Sequence, residues 1–421
     1  MKSFTSDNTE EHVPATPAEL SRLLAENAAT DRRPLLPAGG RTSLQFGYDP
    51  VSGSVPVSTT QLSRVVDYPA RDMTITVQAG IRIEKLAATL AAERQQLAVD
   101  VPQAHRATLG GVAACNVSGP RRIGLGTMRD YVIGISAVDG QGRLFKAGGR
   151  VVKNVAGYDL CKLLVGSMGT LAIITELTLK LRPIPESSAL LWASLPDIQT
   201  ADRAIERLLT SATRPHLIEL LKSVAARHID SAVHADLSCH DGGICIGIGV
   251  EGGPREVSWQ LATLKDELIE FGPTDLVEIL DDDCQPVITA LTEFSTASEE
   301  PLTFQAGVRP SGLSAFWTEA AARGISLQAH AANGVVLGHF PDELATLEHA
   351  QTTLEDLRRL AAKWDGCVTV LQCPPEWKAE LSLFGPAGGQ RQWESKIKQS
   401  FDPHHLLNPG RFFVEPAART H

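Results

Sequence analysis

The feature that most constrains this chain is a glycine-rich stretch between Ala107 and Thr175, in which small residues surround short β-rich runs. It contains ATLGGVAACNVSG at 107–119 and KNVAGYDLCKLLVGSMGTLAIITE at 153–176. Where side chains are absent, backbone N–H groups can come close to a large anionic ligand. The stretch therefore predicts a site lined by backbone for a ligand of that kind.

Size and charge narrow the class of protein. A chain of 421 residues exceeds what one compact core holds, so two domains are expected. The net charge of -10 argues against nucleic acid or an anionic membrane face as the main partner. It leaves room for a bound dinucleotide, because local N–H dipoles can hold a pyrophosphate inside an acidic protein.

Neither a signal peptide nor a transmembrane segment is expected. The first twenty residues are polar and have no apolar core, and no run approaches 18 apolar residues. This pattern is typical of a cytoplasmic protein, one that would reach the inner membrane only through partners.

Turn signals divide the chain into three parts. Arg182-Pro183-Ile184-Pro185 marks a boundary, which predicts a first domain at 1–183, a second at 184–400 and a turn-rich tail at 401–421 that packs back on an earlier domain. Thr16, Pro17 and Glu19 predict a capped helix over 16–28. In the second domain the predicted strands lie near 188–194, 216–222, 244–250, 303–308, 326–340 and 367–372, and the predicted helices near 197–211, 254–271, 311–323 and 341–364. Alternation at this spacing favours an α+β domain with helices on one face of a sheet.

Three glycine-containing elements follow one another in the first domain. They are the loop Pro37–Ser43, the segment Thr108–Gly119 and the start of a strand at Gly166–Thr175. Each alone also fits a surface turn or a tightly packed helix start. The first loop extends to Leu44. Three such elements in order over about 140 residues favour one shared ligand site.

In this order the three elements resemble the FAD-binding core of the vanillyl-alcohol-oxidase/p-cresol-methylhydroxylase (PCMH) flavoenzymes. The resemblance covers about residues 10–183 and 401–412, and KNVAGYDL at 153–160 with NPGR at 408–411 resembles the smaller FAD-binding subunit of bacterial glycolate oxidases. It implies an α+β fold in which a PCMH-type FAD-binding domain of two subdomains carries a ferredoxin-like α+β cap.

The resemblance also implies which residues bind FAD. Asn408 is expected to reach back to the flavin region from the tail. The predicted cofactor-binding residues are Pro37, Ala38, Gly39, Gly40, Arg41, Thr42, Ser43, Pro102, Thr108, Leu109, Gly110, Gly111, Ala114, Asn116, Ser118, Gly119, Gly169, Thr170, Ile173 and Asn408. Many relatives attach the flavin through a histidine in the first glycine loop. That loop has no histidine or cysteine here, so we expect non-covalent FAD.

The activity implied by the resemblance is oxidation of glycolate, a 2-hydroxy acid, to glyoxylate with hydride transfer to FAD. No C-x-x-C-x-x-C run is present, so electrons from the flavin would leave through other molecules. The implied partners are a larger homologous FAD subunit and an iron–sulfur subunit. An autonomous 2-hydroxy-acid dehydrogenase of the D-lactate type, or a non-catalytic flavin-binding subunit, remains an alternative.

The candidate catalytic residues lie in the second domain. Catalytic relatives carry H-x-G-D-G-N-x-H, whose histidines bind metal and contact the hydroxy acid. Here His330 and Gly334 are kept, but the Asp-Gly-Asn core is lost and Val335 stands where asparagine is expected. A base needs polar neighbours to orient it, so His330 is either catalytic or an incidental core histidine. Arg309 either clamps a substrate carboxylate or pairs with a surface acid.

Two further patterns resemble ligand-binding motifs but are not expected to bind a dinucleotide or a metal, and no metal site is expected. Gly247–Gly252 matches G-x-G-x-x-G, but its first two glycines fall inside an apolar run, which favours a closely packed strand. The cluster His228, His234, Cys239, His240 and Cys245 fits no zinc spacing and favours a solvated loop.

Overall fold

The computed structural model describes residues 11–149, 159–222, 225–226, 229, 243–297, 300–386 and 391–412. Of the KNVAGYDL run, only Asp159 and Leu160 fall within these ranges, and Asp159 caps a short helix by accepting a hydrogen bond from Lys162 N. Except for Cys245, the histidine and cysteine cluster at 228–245 lies outside the described residues.

The first domain combines a five-stranded antiparallel sheet with short helices. Its helices are α1 Pro17–Ala29, α2 Ile83–Ala91, α3 Leu109–Cys115, α4 Arg122–Leu125, α5 Met128–Tyr131 and α6 Leu160–Leu164. Its strands are β1 Leu35–Ala38, β2 Val55–Ser58, β3 Val65–Asp67, β4 Thr74–Gln78, β5 Gln95–Gln96, β6 Val132–Asp139, β7 Leu144–Gly148, β8 Ala172–Lys180 and β9 Arg182–Pro183. The sheet order is β3-β4-β8-β6-β7, and β1 and β2 form a separate parallel pair.

The start of α1 confirms the predicted cap, with one change. The Thr16 hydroxyl accepts from Glu19 N at 3.1 Å, and Pro17 occupies the first helical position. The Glu19 carboxylate accepts from Ala15 N at 2.9 Å, one residue before the cap residue. The Glu19 side chain therefore bonds the backbone of Ala15, the residue before the cap, rather than the backbone of Thr16.

The second domain, the cap domain, contains an eight-stranded antiparallel sheet. Its helices are α7 Ile198–Leu209, α8 Pro254–Ile269, α9 Cys284–Ala297, α10 Leu313–Ala322 and α11 Leu347–Ala362. Its strands are β10 Ser187–Leu195, β11 Leu217–Lys222, β12 Ile244–Gly252, β13 Thr274–Leu280, β14 Thr303–Gly307, β15 Ser326–His330, β16 Val335–His339 and β17 Cys367–Gln372. The sheet order is β13-β10-β12-β11-β15-β16-β14-β17, so the G-x-G-x-x-G run is a central strand, β12, as predicted.

The predicted strand at 326–340 is two strands joined by a tight turn. A 3-10 turn at Ala331–Asn333 and Gly334 at φ 64° reverse the chain between β15 and β16. A Cβ on Gly334 would lie 2.0 Å from the Val308 carbonyl oxygen, so only glycine fits there. An unbroken apolar run could not reveal this reversal.

Helix α9 corrects the expectation that all cap helices lie on one face. Helices α7, α8, α10 and α11 pack on one face of the sheet. Helix α9 packs on the other through Val287, Ile288, Leu291 and Phe294. Its sequence, CQPVITALTEFSTA, is rich in β-branched residues of low helix propensity, so packing against the sheet decides its conformation.

The C-terminal segment returns to the first domain, as predicted. Leu35 N donates to Leu406 O at 2.7 Å, and Asn408 N donates to Leu35 O at 2.9 Å, so the tail lies alongside β1. The return begins within α12 (Arg391–Phe401), because Lys398 Nζ already donates to Thr170 O at 2.6 Å. That is earlier in the chain than residue 401.

Buried Asp402 fixes the turn of this tail. Its carboxylate accepts from Leu406 N and Leu407 N and pairs with Lys398 Nζ at 2.6 Å. Asp402 is fully buried, so removing it would leave the ammonium and two N–H groups without their acceptor.

Candidate functional site

A cleft with about 770 Å³ of space, part of it open to solvent, lies where β1, α3, the start of β8 and the tail meet. The lining residues are Leu36, Pro37, Ala38, Gly39, Gly40, Arg41, Thr42, Ser43, Leu44, Thr59, Thr108, Gly110, Gly111, Ala114, Cys115, Met168, Gly169, Ala172, Ile173, Ile174, Asn408 and Arg411. The three glycine-containing elements of the sequence thus converge on one space.

Most of the predicted cofactor-binding residues lie on this wall. They are Pro37, Ala38, Gly39, Gly40, Arg41, Thr42, Ser43, Thr108, Gly110, Gly111, Ala114, Gly169, Ile173 and Asn408. Six predicted residues lie elsewhere: Pro102, Leu109, Asn116, Ser118, Gly119 and Thr170.

The positions of four of these six have structural reasons. Leu109 is fully buried in the core of the first domain, and Thr170 bonds back to Ser167 O. Asn116 ends α3 with a left-handed φ of 50°. Gly119 packs closely on Asp100, where a Cβ would lie 2.6 Å from the Asp100 Cβ.

The sequence reasoning missed other lining residues, among them Cys115 and Arg411. Leu36, Leu44, Met168, Ala172 and Ile174 are chain neighbours of predicted residues, so a wider window on each element would have found them. Thr59 and Arg411 carried no such signal within the glycine elements. Burial is the main influence on the Cys115 thiol and raises its pKa.

The first glycine loop presents free backbone donors to the cleft. Thr108 does not cap α3 with its side chain; its hydroxyl accepts from Gly40 N at 3.3 Å and ties the loop to the helix. The N–H groups of Gly39, Thr42 and Ser43 make no hydrogen bond with any residue that the structure describes. Donors left free on a cleft wall are suited to phosphate oxygens.

The glycines of the cleft serve two different purposes. A Cβ on Gly40 would lie 1.9 Å from Arg106 O, and one on Gly110 would lie 2.8 Å from the Ala79 Cβ, so these glycines allow the backbone to pack. A Cβ on Gly111 would meet only the Thr108 hydroxyl, at 3.3 Å. Gly111 therefore keeps space open in the cleft itself.

Asn408 and Arg411 form the wall that the tail supplies. The Asn408 amide donates to Met168 O at 2.7 Å, while its Oδ1 atom is buried without a hydrogen-bond partner. Arg411 is buried and donates to the carbonyls of Leu44, Phe46 and Tyr48. The unsatisfied acceptor, the free loop donors and the open space at Gly111 together fit FAD.

A second polar group lies in the cap sheet, on the face covered by α9. His330 Nδ1 lies 2.7 Å from Glu219 Oε1, and Gln328 Nε2 donates to Glu219 Oε2 at 2.8 Å. Glu219 and His330 stand opposite each other on β11 and β15, both buried. Burial raises the pKa of the Glu219 carboxyl, and His330 opposes that rise. In the tautomer that donates from Nδ1 to the Glu219 carboxylate, Nε2 of His330 is the acceptor.

The neighbouring His339 has a structural position. Its Nε2 donates to Phe294 O at 2.8 Å, and its Nδ1 accepts from the Thr303 hydroxyl at 2.9 Å. Both ring nitrogens are therefore used to hold α9 on the sheet. His330 is different, because only one of its nitrogens is bonded within the described chain.

The face that carries Glu219 and His330 meets the first domain. Gln103 N donates to Glu293 Oε1 of α9 at 2.6 Å. Helix α4 packs beside the start of β11, where a Cβ on Gly124 would lie 2.5 Å from the His216 Cα. Arg309 is not among the residues that line the cleft; its side chain is 67% exposed and pairs with Asp365.

Two negative findings concern the described residues only. No three His, Cys, Asp or Glu side chains among them are grouped so that they could hold a metal ion. No helix within the described ranges is long and apolar enough to cross a membrane.

Comparison with known proteins agrees with this architecture. A family model for the FAD binding domain matches residues 12–148, and one for the C-terminal domain of FAD linked oxidases matches residues 184–368. Alkyldihydroxyacetonephosphate synthase has the same fold, with a TM-score of 0.70 and 20% identity over 94% of this chain and 76% of its own.

Two curated relatives are named as subunits of glycolate oxidase. The glycolate oxidase subunit GlcD of Bacillus subtilis is 25% identical over 97% of this chain and 89% of its own length. The glycolate oxidase subunit GlcE of Escherichia coli is 36% identical, over 38% of this chain and 46% of its own length. With both domain families matched in order, this chain belongs to the FAD-linked oxidoreductases that join a PCMH-type FAD-binding domain to an FAD-linked oxidase C-terminal domain, and its cofactor is FAD.

Proposed function

We propose that this chain is the FAD-binding subunit of a glycolate oxidase complex and oxidises a small 2-hydroxy acid to the 2-oxo acid. The observation that carries the proposal is the buried Glu219–His330 pair, on the cap face that meets the domain holding the FAD cleft. A positioned histidine with a free ring nitrogen is the group that removal of a hydroxyl proton requires.

Each residue of the pair has a distinct role in this proposal. His330 Nε2 takes the hydroxyl proton of the substrate. Glu219 holds the ring through Nδ1 and stabilises the imidazolium that forms, and Gln328 holds Glu219 in turn. FAD, when bound, supplies the acceptor for the α-hydrogen as hydride. Non-covalent binding follows from the loop Gly39–Ser43, which offers no histidine or cysteine for attachment.

The proposed partners are a larger homologous FAD subunit and an iron–sulfur subunit. Similarity to relatives named GlcD and GlcE supports membership of such a complex. The partners would carry electrons away from the reduced subunit, so the single chain would turn over slowly.

An autonomous 2-hydroxy-acid dehydrogenase is the second candidate, because the Glu219–His330 pair is complete within one chain. A non-catalytic flavin-binding subunit is a third, because Asn333 and Val335 stand where the relatives' signature has aspartate and asparagine. The proposal and these alternatives differ in flavin reduction and turnover.

Anaerobic titration of the purified, FAD-loaded chain with glycolate and with D-lactate tests the proposal. We expect glycolate to bleach the flavin absorbance, while dye reduction by the single chain stays well below that of the assembled complex. Mild acid should release the FAD, whereas flavin retained on the denatured polypeptide would refute non-covalent binding. Dye turnover equal to that of the complex would favour the autonomous enzyme, and an unreduced flavin the non-catalytic subunit.

A further inference from the structure

Arg122 begins α4, on the first-domain side of the interface that Glu219 and His330 line from the cap. Because Gly124, two residues on, packs against His216 next to β11, Arg122 is held close to the strand that carries Glu219. Burial lowers the pKa of the Arg122 guanidinium, and the carboxylates of Asp130 and Glu219 oppose that shift. The Glu219 carboxylate is therefore close enough to Arg122 to act on its charge.

Among the residues that the structure describes, the Arg122 guanidinium has no bonded partner. It makes no hydrogen bond and no ion pair with any residue in the described ranges, although it is half-buried. Its neighbour Arg121 is satisfied by Asp100, with contacts of 2.6 and 2.8 Å. The Asp130 carboxylate is engaged by Thr127 N and the Thr127 hydroxyl. A partly desolvated cation without a counter-ion is costly, and a bound anion would offset that cost.

We propose that Arg122 binds the carboxylate of the 2-hydroxy acid, across the domain interface from His330; the inference rests on the proposed function. A 2-hydroxy acid carries its carboxylate and its hydroxyl on adjacent carbons. Arg122 offers the planar fork that binds a carboxylate through two hydrogen bonds, and His330 offers the acceptor for the hydroxyl proton. Arg309, for which the sequence left either a carboxylate clamp or a surface ion pair, pairs with Asp365 at the surface.

The test is anaerobic binding of oxalate to the full-length, FAD-loaded chain. Oxalate presents a carboxylate but has no α-hydrogen, so it binds without being oxidised. Binding is followed by calorimetry and by the shift of the flavin spectrum, for the wild type, Arg122→Gln, Arg122→Lys and the exposed control Arg129→Gln. Flavin content and thermal midpoint are recorded for each protein.

We expect Arg122→Gln to raise the Kd for oxalate about 10- to 100-fold, as for the loss of a charged hydrogen-bonded partner. Arg122→Lys should show a smaller rise, since it keeps the charge and loses the fork, and Arg129→Gln should match the wild type. Wild-type affinity in Arg122→Gln would overturn the inference while leaving the proposed function standing. If that variant does not fold, wild-type affinity in Arg122→Lys decides against it. Failure of the wild type to bind either oxalate or glycolate would overturn the proposed function and this inference together.

Discussion

The FAD cleft and the polar group of the cap are built in opposite ways. The cleft is lined by small residues and free backbone donors from three short segments, such as Gly39–Ser43. The polar group of the cap is made of buried side chains that are distant in the chain. Glu219 lies 109 residues before Gln328 and 111 residues before His330. An added side chain would fill the space of the cleft, whereas the loss of a side chain would break the polar group of the cap.

The largest effect should separate two adjacent glycines of the cleft. We expect Gly111→Leu to weaken FAD binding at least ~100-fold, because its side chain would enter the cleft while contacting only Thr108. Gly110→Leu should instead destabilise the fold, since its Cβ meets Ala79. Flavin fluorescence and thermal unfolding measure the two effects.

Gly253→Leu is the control for these variants, because a side chain there meets nothing within 4 Å. It should keep wild-type flavin content. If Gly111→Leu also retains its FAD, then Gly111 does not face the bound cofactor.

The tail provides the next test, because it lines the cleft and its turn is held by the buried carboxylate of Asp402. Asp402→Ala should cost about 3–5 kcal/mol of folding free energy, since it removes the counter-ion of Lys398 and the acceptor of two buried N–H groups. FAD affinity should fall with it, as Asn408 is held by the same turn. Urea unfolding and FAD titration check both, and Glu278→Ala, which breaks an exposed pair with Lys265, should cost under about 1 kcal/mol. Unchanged affinity in a destabilised Asp402→Ala would separate the tail from the cofactor.

The next prediction concerns His216 in the cap domain and the pH dependence of stability. Burial, reinforced by Arg121, lowers its pKa from 6.5 to about 3, and neither ring nitrogen has a hydrogen-bond partner. Because the folded pKa lies below the unfolded one, the unfolded state takes up the proton first as the pH falls. The resulting stability is complete above about pH 6.5 and is lost as the pH falls toward 3.

We therefore expect the wild type to lose about 1.4 kcal/mol more than His216→Leu between about pH 7.5 and pH 5.5. Denaturant unfolding at the two pH values measures this difference. Substitution of the exposed His105 by leucine should leave the pH dependence as in the wild type. Parallel curves for wild type and His216→Leu would mean that folding does not lower the pKa of His216.

The smallest effect is expected at Arg309. Arg309→Gln breaks a solvent-exposed pair with Asp365 and should change the free energy of unfolding by less than about 1 kcal/mol. Flavin content and oxalate affinity should match the wild type. A large loss of oxalate affinity would return Arg309 to the substrate site in place of Arg122.

The sequence predicted the cleft better than the cap site for a physical reason. Glycines that serve one ligand stand in contiguous loops, so elements such as Gly39–Ser43 are visible one segment at a time. The pairing of Glu219 with His330 depends on the register between β11 and β15, which no local pattern contains. Arg122 was missed likewise, because its environment comes from the other domain.

The same contrast explains the errors in secondary structure. Helix α9 has a composition that favours strands and becomes helical through burial of Leu291 and Phe294 against the sheet. Strand β13 is an exposed edge strand whose apolar residues do not form a buried run. Helix α1, in contrast, was predicted from Thr16 and Pro17 because capping is encoded within one turn.

Because the tail supplies one wall of the cleft, the cofactor site is completed only when the C-terminal segment has been synthesised. Asn408 closes the cleft by bonding to Met168 O across 240 residues of chain. At about 5–20 residues per second, the ribosome needs roughly 12–48 s to make that interval. Throughout it, the nascent first domain can fold its sheet but holds a cleft that lacks one wall. Full retention of FAD is thus an event at the end of synthesis, and a ribosome that stalls inside the cap domain leaves a product that releases its cofactor.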